Sequence, residues 1–126
     1  MQFPENLKYT KEHEWVRVEG DVVYIGITDY AQDQLGDIVF IDIPTLDEEL
    51  EAGDIFGTIE VVKTVSDLFI PISGTVIEVN ETLEDQPELV NEDPYGEGWI
   101  IKVEPSNKED FDSLLSAAEY KEIINL

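Results

Sequence analysis

The feature that most constrains the fold is a series of short segments rich in valine and isoleucine, broken about every ten residues by Gly, Pro, Asn or Asp. β-Branched residues favour extended strands, and the residues that break the segments favour tight turns. The expected strands lie in "EWVRVEG", "DVVYIGI", "DIVFIDI", "DIFGTIEVV", "VSDLFI", "GTVIEV" and "WIIKVE". Alternation in the last segment predicts Trp99, Ile101 and Val103 on one face, with Lys102 and Glu104 on the other. The pattern predicts a mainly β fold.

Two helical segments are expected in addition to the strands. Thr28 is placed to cap a short helix over "DYAQDQL", which Gly36 would end. Near the end of the chain, apolar residues spaced i, i+3, i+4 and i+7 predict a helical segment over about 110–125 whose apolar stripe covers a sheet. The residues of this stripe are Phe111, Leu114, Leu115 and Ala118, followed by Tyr120, Ile123 and Ile124. Ser113 or Ser116 is expected to interrupt the segment.

The acidic composition limits the classes of partner. The chain has 126 residues with 30 acidic and 7 basic side chains, and its formal net charge is −23. Affinity for nucleic acids comes largely from Lys and Arg, so the charge argues against DNA and RNA as partners. A hydrophobic content of 42% is enough for a packed interior. We therefore expect one domain over residues 1–126.

Several kinds of site and location are disfavoured by what the sequence lacks. There are no cysteines, which excludes disulfides, thiol nucleophiles and zinc–thiolate sites. His13 is the one histidine and is expected to be structural, and no metal site is expected. No apolar stretch approaches 20 residues, and the first residues form no targeting pattern. A cytoplasmic protein without membrane contact is the expectation.

One lysine stands between two of the expected strands, in the stretch "IEVVKTVSD" over residues 59–67. A lysine at a bend is usually only a solvated side chain, but lysines are scarce in this chain. The β-branched neighbours of Lys63 stiffen the backbone on both sides. The pattern predicts that Lys63 projects from a hairpin bend, away from the core.

Four blocks of the chain resemble the H-protein family of the glycine cleavage system, whose members carry lipoate. The blocks are "YTKEHEWVRVEGDVVYIGITDYAQDQLGDIVFIDIP", "GTIEVVKTVSDLFIPISGTVIEVN", "LVNEDPYGEGWIIKVEPS" and "LLSAAEYKEII", in the family's order and at its spacing. The resemblance implies a barrel-sandwich hybrid of antiparallel sheets, of the biotinyl/lipoyl-carrier type, with a short internal helix and a C-terminal helix. It also implies that lipoate is attached to Lys63 through an amide. Val61 and Thr64 stand where serine and alanine are usual in the family.

The resemblance further implies a monomeric shuttle that catalyses no step itself. A pyridoxal-phosphate glycine decarboxylase would load an aminomethyl group onto the lipoyl arm, and a tetrahydrofolate-dependent aminomethyltransferase would take the methylene and release ammonia. A flavin- and NAD-dependent dihydrolipoyl dehydrogenase would then reoxidise the dithiol, and a lipoylating enzyme is the fourth implied partner. In such a system the cofactor carries out the difficult chemistry while the protein positions it.

The loaded arm of the family carries a protonated amine that folds back into an acidic cleft. The matching positions here are Glu14 and Asp67. A carboxylate is a suitable partner for an ammonium group, because charge-assisted hydrogen bonds are strong in a partly desolvated cleft. Nearby, Glu12 stands where the family can carry serine, and Gln34 where some members have histidine.

Three other functions are compatible with parts of the sequence. A biotinyl carrier would share the fold, although methionines usually flank its lysine, whereas Val62 and Thr64 flank Lys63. A lipoate donor or relay protein would share the fold and the cofactor. A small hydrolase could use Glu14 and Asp67 as an acid–base pair, but a chain of this length is expected to lack the cleft that a hydrolase needs.

Overall fold

The computed structural model describes residues 1–126 and contains nine strands, four short α-helices and one 3₁₀-helix. The strands are β1 (Lys8–Tyr9), β2 (Glu14–Glu19), β3 (Val22–Ile27), β4 (Ile38–Asp42), β5 (Glu49–Leu50), β6 (Ile55–Val61), β7 (Val65–Phe69), β8 (Gly74–Val79) and β9 (Ile101–Pro105). The α-helices are α1 (Asp29–Leu35), α2 (Thr82–Asp85), α3 (Leu89–Glu92) and α4 (Ala117–Ile123), and the 3₁₀-helix spans Lys108–Ser113.

Two antiparallel sheets enclose the main core. The larger sheet has the order β1-β2-β3-β9-β8-β5, and the smaller has the order β4-β6-β7. Buried residues from both sheets, among them Ile25 and Val103 of the larger and Ile59 and Leu68 of the smaller, belong to one apolar cluster. The sheets are therefore packed face to face, which confirms the mainly β fold of antiparallel sheets.

Helix α1 follows its sequence signals closely. The Thr28 hydroxyl accepts a hydrogen bond from the Ala31 backbone N–H at 3.1 Å, which satisfies one of the free amides at the start of the helix. The helix ends at Gly36, whose φ of 83° is a left-handed value that glycine adopts without strain. Asn91 holds this end in place, because its Nδ2 donates to the Gly36 carbonyl and its Oδ1 accepts from the Ile38 amide.

The expectation for Trp99 is wrong, because regular pairing begins only at Ile101. Ile100 and Ile101 are both fully buried, which breaks the alternation of the strand. The side-chain Nδ2 of Asn80 donates to the Trp99 carbonyl, and the Ile100 backbone amide donates to the Ile25 carbonyl. Trp99 consequently lies on the Lys102 face, with the Lys102 ammonium 5.5 Å from its ring centroid.

The C-terminal apolar stripe is also partly wrong. The chain forms a 3₁₀-helix, breaks, and starts α4 after Ser116, which accepts from the Glu119 amide while the Glu119 carboxylate accepts from the Ser116 amide. The break shifts the helical phase, so Ala117 is buried and Ala118 is exposed. Tyr120 is fully buried in a second apolar cluster with Leu7, Tyr9, Trp15 and Ala117.

Candidate functional site

Lys63 lies at the tip of the β6–β7 hairpin. The strands pair up to Glu60 and Val65, and the Val61 amide then donates to the Thr64 carbonyl at 2.9 Å, so the turn is tight. The Lys63 side chain is exposed. The two ion pairs of the protein join Arg17 to Glu19 and Lys102 to Glu78, so the Lys63 ammonium is free of both.

The residues around this lysine present apolar surface to solvent. Val62 is 81% exposed and Val65 is 58% exposed. A single exposed apolar side chain is ordinary, but neighbouring exposed ones can mark a binding surface. The tip thus combines an accessible amine with an apolar surround.

A cleft of about 340 Å³ lies beside the same hairpin. Its walls come from the chain before and within β2, from the end of β3, from helix α1, and from β6 and β7. The lining residues are Glu12, His13, Glu14, Ile27, Tyr30, Ala31, Gln34, Leu35, Ile59, Ser66, Asp67 and Leu68. The volume is near the lower end for small-molecule sites, and the structure differs here from the expectation that no sizeable cleft exists. Two packed sheets with a helix across one end leave this space.

Glu14 is buried in the wall of the cleft, with 2% of its surface exposed. One carboxyl oxygen accepts from the Thr10 hydroxyl at 2.8 Å, and the other accepts from the Phe69 amide at 3.3 Å. The pKa of Glu14 is raised to about 8, chiefly because the carboxyl is buried; the hydrogen bonds from Thr10 and Phe69 oppose the rise, and the charge of Glu12 adds a smaller increase. In the cleft as it stands, Glu14 is therefore mostly protonated at neutral pH.

Asp67 is the second acidic residue that the sequence places in the cleft, and the structure brings it to the same space as Glu14. It lies on β7 opposite Thr58, four residues after Lys63, and its side chain is exposed. Glu12 and Gln34 also line the cleft, as the sequence comparison with the H-protein pattern anticipates. No lysine or arginine is among the lining residues, so the cleft is acidic.

His13 and Tyr30 are cleft residues that the sequence reasoning missed. His13 was expected to be only structural, but its ring lies in the cleft wall, 5.2 Å from the Tyr30 ring. Burial lowers the pKa of His13, and the charge of Glu12 opposes this effect. A signal for both existed, because His13 directly precedes Glu14 and Tyr30 lies one helical turn before Gln34.

Comparisons with known proteins identify the family of the chain. The family model described as glycine cleavage H-protein matches residues 7–125. The chain belongs to the glycine cleavage H-protein family. A glycine cleavage system H protein of Bacteroides fragilis is 67% identical over 125 residues, covering 99% of each chain. Another, of Staphylococcus haemolyticus, is 59% identical over 124 residues, covering 98% of each.

A solved structure extends the likeness to the fold. The crystal structure of a glycine cleavage system H protein from Mycobacterium marinum superposes with a TM-score of 0.87 at 40% identity, covering 98% of this chain and 99% of that one. The barrel-sandwich fold of lipoyl carriers is thereby confirmed. Family membership also confirms the recognition from sequence: the chain is the lipoyl-bearing carrier component of a glycine cleavage system.

The family match bears on the alternatives as well. It places the chain among lipoyl carriers and not among biotinyl carriers. The longest α-helices, α1 and α4, have seven residues each, so no helix could span a bilayer.

Proposed function

We propose that lipoate is attached to Lys63 through an amide and that the loaded arm shelters in the adjoining cleft. The observation that carries the proposal is the placement of a free, exposed lysine amine on the same hairpin that supplies one wall of an acidic cleft. Asp67 follows Lys63 by four residues on this hairpin, so their Cα atoms are at most about 14 Å apart. Lipoate would supply the redox-active dithiolane that a chain without cysteine lacks.

Lys63 fits the attachment because acylation needs an amine that another protein can reach. The stiff, tight turn holds the side chain away from the core, and no carboxylate competes for its ammonium. Once the amide forms, the Lys63 side chain carries no charge.

Glu14 and Asp67 fit the cationic aminomethyl cargo. The cleft offers carboxylates from two walls and contains no basic side chain that would compete for them. A cation that enters would supply the positive charge that favours the ionised form of Glu14, against the burial that now keeps it protonated. Thr10 and the Phe69 amide would hold the resulting carboxylate in place.

The partners in this proposal are glycine decarboxylase, the aminomethyltransferase, dihydrolipoyl dehydrogenase and a lipoylating enzyme. The chain itself would catalyse none of their reactions and would act by presenting the arm to each in turn, at the high effective concentration that a tether provides. The exposed Val62 and Val65 beside the lysine support docking through the tip. A monomer in the cytoplasm, with its tip free, suits a carrier that serves several enzymes.

The test is Lys63→Arg, assayed by intact mass after lipoylation and by glycine–bicarbonate exchange with glycine decarboxylase. We expect complete loss of both the added lipoyl mass and the exchange, because a guanidinium is not acylated in this way. The matched control is Lys108→Arg, which changes another exposed lysine and should retain both activities.

The same experiment separates the remaining alternatives. Exchange that survives Lys63→Arg would contradict the proposal. Hydrolysis of a model substrate that survives the same substitution would revive the hydrolase hypothesis for Glu14 and Asp67. A biotin mass in place of a lipoyl mass would contradict the proposal. Lipoylation without exchange in the wild-type protein would indicate a lipoate donor or relay.

A further inference from the structure

Tyr120 of helix α4 makes two hydrogen bonds that the proposed function does not use. Its side chain is fully buried, and its hydroxyl lies 2.8 Å from His13 Nδ1 and 2.8 Å from Thr28 Oγ1. The partners are 107 and 92 residues away in sequence, so this contact joins the C-terminal helix to the opposite end of the chain.

The two partners of Tyr120 belong to two different walls of the cleft. His13 lines the cleft directly and immediately precedes Glu14. Thr28 caps helix α1, which supplies Tyr30 and Gln34 to the facing wall. One buried hydroxyl therefore bridges residues of both walls.

The backbone of His13 has an uncommon conformation that hydrogen bonds from neighbouring residues hold in place. Its φ is 70°, a left-handed value that is uncommon for a residue other than glycine. The His13 amide donates to the Thr10 carbonyl at 3.1 Å, and its own carbonyl accepts from the Thr28 amide at 3.0 Å. With Nδ1 bonded to Tyr120, the other ring nitrogen, Nε2, has no partner within the protein.

We propose that Tyr120 is a positioning residue of the cargo cleft: its hydroxyl fixes the orientation and tautomer of the His13 ring, which closes the cleft wall beside the cargo. This inference rests on the proposed function of the cleft. A fixed imidazole excludes water from the aminomethyl cargo, which would otherwise be hydrolysed. In that reaction one water converts the cargo to formaldehyde and an ammonium ion and returns the free thiol.

The two hydrogen bonds of the Tyr120 hydroxyl can hold the His13 ring in one orientation. In a buried site each such bond is stronger than in water, and the aromatic stack of Tyr120 on Tyr9, with ring centroids 5.0 Å apart, holds the hydroxyl in place. Removal of the hydroxyl leaves the packing intact and frees the His13 ring to rotate and exchange tautomers.

The experiment compares Tyr120→Phe with Tyr9→Phe in the lipoylated protein after loading by glycine decarboxylase with glycine. Tyr9→Phe is a matched control, because it removes one hydroxyl from the same aromatic stack, and that hydroxyl donates to the Pro4 carbonyl at 2.7 Å, away from the cleft. The readouts are the rate of formaldehyde release and the ¹⁵N signals of the imidazole. His13 is the one histidine in the chain, so the imidazole spectrum has a single source.

We expect one fixed neutral tautomer of His13 in the wild-type protein and in Tyr9→Phe, and a mixture of tautomers in Tyr120→Phe. We also expect formaldehyde release from Tyr120→Phe to be about fivefold faster, the factor that loss of a typical net hydrogen bond gives. Lipoylation of Lys63 should be unchanged in all three proteins.

Three results would overturn the inference. They are averaged tautomers already present in the wild-type protein, equal release rates for the two tyrosine variants, and a change in the His13 spectrum without a change in release. Failure of the proposed function looks different, because the wild-type protein would then accept no lipoate or no cargo.

Discussion

The hairpin tip and the cleft are neighbours, yet they are built on opposite principles. At the tip, Lys63 is exposed, unpaired and surrounded by residues adjacent to it in sequence. In the cleft, Glu14 is buried, its pKa is raised to about 8, and one of its two hydrogen-bond partners, the Phe69 amide, lies 55 residues away in the chain. The proposed functions call for this difference, because attachment at Lys63 needs an amine that another protein can reach, whereas protection of a labile cargo needs a site removed from water.

The largest effect is expected from Glu14→Ala, which removes the buried carboxyl from the cleft and leaves the hairpin tip unchanged. The variant should be lipoylated normally, because the tip is untouched, but should release formaldehyde from the loaded arm about tenfold to a hundredfold faster. A hydrogen bond to a charged group contributes about 1.5–3 kcal/mol, which corresponds to a factor of this size. Release is measured on the isolated loaded protein.

The control for this variant is Glu12→Ala, which removes an exposed carboxylate from the rim of the same cleft. It should accelerate release less than Glu14→Ala does. If Glu14→Ala released its cargo at the wild-type rate, Glu14 would have no part in holding the arm.

A second prediction concerns the pH dependence of stability, which the burial of Glu14 should cause. The folded protein keeps the Glu14 proton up to about pH 8, whereas the ordinary pKa of the carboxyl is 4.5. Between pH 4.5 and about pH 8, Glu14 is protonated in the folded state and ionised in the unfolded state. The free energy of unfolding therefore falls as the pH rises through this range. Glu14→Gln removes this pH dependence. The free energy of unfolding of the variant, relative to that of the wild type, should therefore rise by up to about 1.4 kcal/mol per pH unit.

Urea unfolding of both proteins at several pH values between 5 and 8 measures this difference. Glu104→Gln is the control, since it removes an exposed carboxylate from β9, outside the cleft, and should not reproduce the widening gap. A constant difference between Glu14→Gln and the wild type would mean that Glu14 is ionised in the folded protein throughout this range.

The smallest effect expected is that of Ser116→Ala, which acts on the cleft only through helix α4. Loss of the capping box should lower the free energy of unfolding by about 1 kcal/mol. Lipoylation should be unchanged, since the tip does not depend on this helix. Thermal unfolding and intact mass check the two statements, and a loss of lipoylation would show that tip and helix are coupled.

The parts of the fold that depend on neighbouring residues were predictable from the sequence. Thr28 and Gly36 mark the two ends of α1, and the β-branched residues around Lys63 mark the hairpin. Trp99 and Ala118 were placed wrongly because the Asn80 bonds and the Ser116 break shift the phase of the local pattern.

The cleft was predictable only in part. Glu14 and Asp67 came from the family pattern, and the structure brings both into one space. The position of His13 in the cleft wall was not predicted, because its ring is placed by contacts with Tyr120 and Tyr30, which lie far from it in sequence. The raised pKa of Glu14 likewise follows from burial between packed elements, which a linear sequence does not reveal.

The most direct test of the account is peptide mapping by tandem mass spectrometry of the wild-type protein produced in the presence of lipoate and a lipoylating enzyme. The account predicts a single lipoyl group, on Lys63, and none on the other six Lys and Arg residues. A protein that remains unmodified, or one that carries the lipoyl group on another lysine, would contradict it.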